Sequence, residues 1–251
     1  MAIRALTGRA VGILLAAGLS LPRALPSQTT GDGFLFRRPT GTFAIRAGYD
    51  RAGAGSDVFS DVTEQLTLGR GAFSSVIGAV DFGAMLTDRL DLTLGGSFSG
   101  SRTRSEFRDW VDQDGLPIEQ TTTFERVPVT VGLKVFLGSR GRSLGSLAWV
   151  PAKCAPYIGA GGGAMWYRFR QRGDFVDFRT LDIFRADISS SGWTATAHGF
   201  AGVEVAVGPR FLLVGEGRYT WARATMGEAF DGFERIDLSG LSVTAGIAFR
   251  M

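Results

Sequence analysis

The sequence predicts an all-β fold, an eight-stranded antiparallel transmembrane up-and-down β-barrel, and three observations predict it. The 251 residues are 45% hydrophobic and include 36 glycines, yet after residue 27 no stretch approaches the roughly 20 apolar residues that a membrane-crossing helix needs. Eight segments instead alternate with a period of two, which sends successive side chains to opposite faces of a strand. In seven of the eight, the apolar row carries no charge, while Arg46, Asp81, Asp91, Lys134, Glu204, Glu216 and Arg218 fall on the opposite row. A soluble barrel also alternates, but its water-facing row would be rich in Lys and Glu. Here the polar row is mostly Gly, Ser, Thr and Ala with isolated charges of both signs, as expected where charges must pair in a narrow interior.

The first 27 residues read as a secretory signal peptide. Arg4 and Arg9 form a basic start, residues 10–21 are apolar and uncharged, and Pro22, Ala24, Pro26 and Ser27 follow. About a dozen apolar residues are too few to cross a ~30 Å hydrocarbon core as a helix, so export with cleavage between residues 24 and 28 is expected. The whole chain holds 27 Lys and Arg against 24 Asp and Glu, but Arg4, Arg9 and Arg23 lie in the leader, so the mature chain is balanced. The basic isoelectric point therefore implies no nucleic-acid partner. The single Cys154 cannot close an intrachain disulfide and lies too far from the leader to be an acylated first residue. Residues 28–39 form a short N-terminal segment, expected in the periplasm, and residues 40–251 the barrel.

The first segment, residues 40–51, sets Phe43, Ile45, Ala47 and Tyr49 against Thr42, Ala44, Arg46 and Gly48. Residues 73–86 set Val76, Val80, Phe82 and Leu86 against Ala79 and Asp81, and a tight turn at residues 87–89 follows. Residues 90–100 alternate most cleanly, with Leu90, Leu92, Leu94 and Phe98 opposite Asp91, Thr93, Ser97 and Ser99. Residues 124–137 set Val127, Val129, Val131, Leu133 and Val135 against Arg126, Thr130 and Lys134, although Pro128 cannot donate to a ladder. In residues 156–170 the run from Gly159 to Ala164 leaves neither row clearly apolar, and the facing stays open. Residues 193–207 set Ala195, Ala197, Ala201, Val203 and Val205 against Thr194, Thr196, His198 and Glu204, and Gly208, Pro209 and Arg210 turn the chain. Residues 211–221 oppose Phe211, Leu213, Tyr219 and Trp221 to Val214, Glu216, Arg218 and Thr220. The eighth segment sets Leu241, Val243, Ala245, Ile247 and Phe249 against Ser242, Thr244, Gly246, Ala248 and Arg250.

From a periplasmic N-terminus, the links after segments one, three, five and seven are long and those after two and six are tight, which is the polarity of an outer-membrane barrel. The link at residues 138–155 breaks that rule; its Trp149 either anchors at the inner boundary or packs within a loop. Tyr49, Phe73, Phe124, Trp166, Tyr167, Trp193, Tyr219 and Trp221 fall near the long links, and Phe136, Tyr157, Phe211 and Phe249 near the turns. They are expected to form two interfacial girdles.

The last eight residues, with Thr244, Gly246, Phe249 and Met251 at polar, glycine, aromatic and hydrophobic positions, resemble the C-terminal assembly signal of bacterial outer-membrane β-barrels. With the eight segments, the chain from residue 40 to 251 resembles the small eight-stranded barrels of the OmpA, OmpX and OmpW type. That resemblance implies residence in the cell outer membrane, contact with outer-membrane lipid and lipopolysaccharide, delivery by the outer-membrane assembly machinery, and a monomer. Ending at its eighth strand, the sequence is expected to lack the periplasmic peptidoglycan-binding domain that some of these proteins carry.

Catalytic and metal chemistry has little to build on. His198 is the only histidine, which excludes a multi-histidine metal site. Some eight-stranded barrels modify lipid A with a His, a Ser and an acid, but Phe200 stands where a Ser would be sought two residues after His198. A lumen hydrogen-bonding role is the expectation for His198. Asp112, Asp114 and Gly115 share a fragment with calcium loops, without the remaining ligand positions. The glycine run has no Lys-Ser or Lys-Thr after it and is not a phosphate loop. No cofactor is expected. The charged lumen row suggests a polar network in which Arg46 joins Arg218, Glu204 and Glu216. The sequence supports first a non-enzymatic structural or surface-interaction role with long loops outside. Second comes a narrow channel or lateral path for small, apolar solutes, and third a lipid A-modifying enzyme.

Overall fold

The computed structural model describes residues 33–251 except 113, 146, 178, 179 and 181. The expected signal peptide lies outside the described residues. Eight antiparallel strands form the wall: β1 (Gly41–Ala52), β2 (Ser75–Met85), β3 (Leu90–Val111), β4 (Pro117–Phe136), β5 (Cys154–Val176), β6 (Ile183–Ala206), β7 (Phe211–Ala224) and β8 (Gly240–Arg250). Each pairs with the next in sequence, and β8 pairs back onto β1 from Gly240 with Ala52 to Arg250 with Thr42. Closure leaves no sheet edge, so the wall satisfies its own backbone hydrogen bonds, as spanning a bilayer requires.

Strand parity follows the polar and apolar rows. Phe43, Ile45 and Tyr49 of β1 are exposed while Arg46 and Asp50 are buried, and the same division holds for Leu92 and Leu94 against Asp91 and for Leu213 against Leu212, Val214 and Glu216. The facing of β5 is now fixed: Tyr157, Gly159, Gly161 and Met165 point inward, and Ile158 and Trp166 point outward or partly so. Its inward glycines have a packing reason. A Cβ on Gly159 would run into the Phe200 ring, and one on Gly161 would sit 2.8 Å from Cε1 of His198, so bare backbone on β5 makes room for the large inward side chains of β6. Pro128 lies where the β3–β4 ladder skips Ser97 and Phe98, and the same register resumes on both sides.

The strands differ most from expectation in length. β3, β4, β5 and β6 span 22, 20, 23 and 24 residues, about twice what a tilted crossing uses. The links after β3 and β5, expected as long loops, are therefore mostly strand that extends past the apolar belt. Asp112 caps the first of these turns, its Oδ1 accepting from the backbone N–H groups of Asp114 at 2.9 Å and Leu116 at 2.7 Å. The carboxylate is thus a turn cap.

The links after β1 and β7 fold inward over the end of the barrel. The first contains α1 (Asp57–Gln65), a helix because Val58, Phe59 and Val62 share one buried face with Leu66 beyond it. Asp57 and Ser56 tie it to the β7–β8 link by accepting hydrogen bonds from the backbone N–H groups of Glu234 and Asp237. At the opposite end, the link at residues 137–153 is a small hairpin, Gly141–Leu144 with Ala148–Pro151, and Leu35–Phe36 adds a third strand to it. Trp149 is buried there, with the Arg250 guanidinium 5.1 Å from its ring centroid, so it packs within the loop and does not anchor in lipid.

Candidate functional site: a charged and closed lumen

The interior has three layers. At the end that carries α1, an apolar core gathers Phe59, Phe73, Phe124, Phe169 and Phe230 with Leu66, Ile118, Tyr167 and Leu238. Phe59 is fully buried and meets Phe73, Phe124 and Phe169 edge-on at centroid distances of 4.7, 5.3 and 5.7 Å. At the other end, Phe136, Tyr157, Phe200, Leu212 and Val214 form a smaller core. Charges lie between them and extend into the smaller core, where Lys134 and Arg140 stand 5.0 and 4.4 Å from the Phe136 ring centroid. Phe73, Phe124, Tyr167, Phe136 and Tyr157, expected in the girdles, belong to these cores. Phe124 and Phe136 share the inward row of Arg126 and Lys134, and that parity decides their facing. Tyr49, Trp193, Tyr219, Trp221 and Phe211 do stand exposed on the outer surface.

The predicted lumen charges all face inward, but they sort into separate groups. Arg46 pairs with Asp81 and, at 2.7 Å, with Glu216. Arg218 reaches Glu216 at 2.9 Å and Asp81 at 3.5 Å. These two arginines and two carboxylates come from β1, β2 and β7, and Tyr157 donates its hydroxyl to Glu216 at 2.9 Å. Glu204 is not a member, contrary to expectation: it pairs with Lys134 at 2.8 Å. Glu204 lies opposite Val214 on β7, while Glu216 lies opposite Gly202, so the register keeps the two carboxylates apart. Asp91 pairs at 2.9 Å with Arg140, which enters from the hairpin beyond β4 and also donates to the carbonyls of Thr87 and Asp88. A further buried pair, Asp50 with Arg126, is anchored by the Leu238 carbonyl. Both residues occupy the inward row, which was the available sequence signal; Arg140 had none, because it arrives from a turn.

His198 is buried beside Phe200, with ring centroids 5.6 Å apart, and its Nδ1 has no hydrogen-bond partner. Among the described residues, no hydroxyl or carboxylate is hydrogen-bonded to it, the contact by which a general base would be oriented. Among the described residues, no group of three or more His, Cys, Asp or Glu is placed to hold a metal. Of the terminal octet, Thr244 accepts from Arg46 at 3.0 Å, Gly246 lies against Arg46, and Phe249 faces outward against Phe211. Met251 hydrogen-bonds through its backbone to Gly41 and Thr40.

Cavities of about 40 and 30 Å³ lie in the lumen, and Arg46, Asp81, Glu216 and Arg218 line both. The four charges therefore partition the lumen, and each cavity holds at most a few waters. A larger cavity of about 170 Å³ lies in the capped end between α1 and the β4–β6 wall, lined by Val58, Val62, Leu66, Gln171, Phe175 and Ile188 among others.

The outer surface decides the environment. Ile45, Val80, Phe82, Leu94, Val131, Leu133, Leu213, Val243 and Ile247, drawn from six strands, are all about half exposed and form an uncharged band around the wall. Soluble monomers rarely expose so continuous an apolar surface to water. The chain is a transmembrane β-barrel of the outer-membrane type. No helix among the described residues is long and apolar enough to cross a membrane, and strands do the crossing.

No family model matches the chain, and no curated protein matches it. Solved structures do. The outer membrane protein OprG from Pseudomonas aeruginosa is 15% identical, with 86% of this chain and 99% of that one covered and a TM-score of 0.47. Neisserial surface protein A gives 12%, 88% and 98%, and 0.43. The Escherichia coli outer membrane protein W gives 17%, 85% and 100%, and 0.38. The barrel's own pairing and surface, not these distant likenesses, carry the conclusions below.

Proposed function

We propose that this protein is a closed-lumen barrel of the cell outer membrane with a non-enzymatic structural or surface-interaction role, presenting the capped end and the long hairpins outside the cell. One observation carries the reading: an apolar cap, a four-charge cluster and a second apolar layer follow one another along the interior. Eight strands leave an interior that side chains can fill, and here they do. The short turns at the opposite end support a periplasmic facing for it, since short periplasmic turns and longer outer loops are the polarity of such barrels. Planar-bilayer recording tests the proposal. The expected result is no steady ionic current from the folded protein, and a stable ohmic conductance would overturn it. Protease shaving of intact cells tests orientation, with cleavage expected in the links between β3 and β4 and between β5 and β6.

A second reading, uptake of a small apolar solute, is favoured by the 170 Å³ cavity in the cap, which Val58, Val62, Leu66, Phe175, Ile188 and Phe230 help to line. Solute flux into vesicles, with no ionic current, would favour it over the first.

A further inference from the structure

Above the apolar belt, the outward faces of β3, β4 and β5 carry a repeated arrangement. Arg102, Thr123 and Arg170 stand opposite one another on the three strands, and two residues further out so do Arg104, Thr121 and Arg172. Strands lie about 4.8 Å apart and rise about 3.3 Å per residue. The four arginines thus root at the corners of a rectangle roughly 10 by 7 Å, with the two threonines on its midline. Among the described residues, neither threonine hydroxyl has a hydrogen-bond partner, and Arg102 has none either. The six residues line a groove of about 490 Å³. Arg104 pairs with Glu119 and Arg168 with Glu125, all four lining the groove with Asp174, while Arg170 pairs with Asp187, which lies outside the lining; the Arg104 and Arg170 pairs are solvent-accessible, where an ion pair exchanges readily for a stronger anion.

We propose that this groove binds the phosphomonoester of a lipid headgroup in the surrounding leaflet, in preference to the phosphodiester of the bulk lipid. Arginine forks and short hydroxyls are the donors that a tetrahedral oxyanion takes. Position selects the lipid as the source. The groove opens outward, towards neither the lumen nor the cap, and its first rung begins four residues above Trp166 and Trp193, which are themselves paired across β5 and β6. Interfacial aromatics mark the edge of the hydrocarbon, which sets the rungs at headgroup depth. The inference rests on the membrane reading above and adds the ligand chemistry and the site.

Nanodiscs of phosphatidylcholine doped equally with bisphosphorylated lipid A and its dephosphorylated form test it, with the lipid carried by the ejected protein read by native mass spectrometry. Wild type should retain the phosphorylated lipid in preference by about tenfold, as for several charge-assisted hydrogen bonds. R102Q/R170Q should reduce that preference to about twofold or less, whereas R223Q/R235Q, which removes the same charge elsewhere on the exposed surface of that end, should leave it intact. Equal retention of the two lipids by wild type, or an equal loss in both variants, overturns the proposal. Insertion is scored separately by heat-modifiable migration: an inserted barrel without preference sinks the arginine site alone, and a chain that does not insert sinks the membrane reading with it.

Discussion

The same four strands build two halves with opposite chemistry. Below the Val127, Trp166 and Trp193 row, β3–β6 turn Leu94, Val131 and Leu133 outward and keep Asp91, Lys134 and Glu204 inside. Above it they turn Arg102, Arg104 and Arg172 outward and bury Phe107, Ile118 and Phe169. Strand geometry and register run through the boundary unchanged. What changes is the solvent on the outer face, so hydrocarbon below and water above reverse which row can be apolar. The lower half owes its order to backbone pairing in lipid and to charge pairing in its lumen; the upper half behaves as a small water-soluble protein capped by α1.

The charge partition should be the most sensitive point of the lower half. Arg46→Met leaves Asp81 and Glu216 with Arg218 alone, and breaking a buried pair by removing one partner costs about 3–5 kcal/mol. Urea unfolding in lipid vesicles, followed by heat-modifiable migration, reads this directly. Arg46→Met combined with Glu216→Gln should recover part of the loss, because the second change removes an uncompensated charge. A single variant as stable as wild type would show that the lumen is wet enough to screen these groups.

In the upper half the counterpart is Phe59. Phe59→Ala empties the centre of the cap and should cost about 3–5 kcal/mol locally, but the belt would still pair and span. Limited proteolysis should cut the β1–β2 link while migration of the barrel stays heat-modifiable. Loss of both together would mean that the halves fold as one cooperative unit and would remove the distinction drawn above.

The boundary itself can be mapped by moving one charge along the outer face. Leu94→Arg places a guanidinium near the middle of the belt and should cost about 2–4 kcal/mol. Ser189→Arg, on the outward row of β6 above the Trp193 row, should stay within about 0.5 kcal/mol. Equal costs would mean that the belt continues upward past Trp193.

This division also explains what the sequence discloses. The belt segments were legible because lipid forbids charge on one row, so Leu90, Leu92, Leu94 and Phe98 declare their face. The extensions were not, because water accepts Arg102, Thr121 or Ser189 outside while Ser105 and Phe107 go inside, and the contrast between rows fades. Lumen charges were legible as a set by parity, but their partners depend on register across several strands. That is how Glu204 came to Lys134 and away from Arg46. Asp91 meets a partner from a turn, Arg140, that no strand period could place. The capping helix was missed because its apolar positions, Val58, Phe59 and Val62, are few and flanked by glycine and charge.

The smallest expected effect sets two carboxylates of the upper half against each other. Burial pushes Asp61 of α1 above its usual range; the Gln65 amide opposes this, and Glu64 and Asp57 reinforce it. A carboxyl raised in the folded state binds its proton more tightly than in the unfolded chain. Its contribution to the cap is therefore full below the unfolded value, near 3.9, and is lost as pH rises through the folded value. Asp187 on β6 is held below its usual range, first by the hydrogen bond from Arg170, and has the opposite sign: its contribution is present above the unfolded value and is lost as pH falls through the folded one. Acidification should thus tighten the cap while loosening the β5–β6 extension. Carboxyl-carbon NMR titration of the folded barrel should find Asp61 above and Asp187 below the free-peptide value, with Arg170→Gln returning Asp187 towards it. If the two titrate together, neither the partial burial of α1 nor the exposed arginine pair distinguishes the two parts of the upper half.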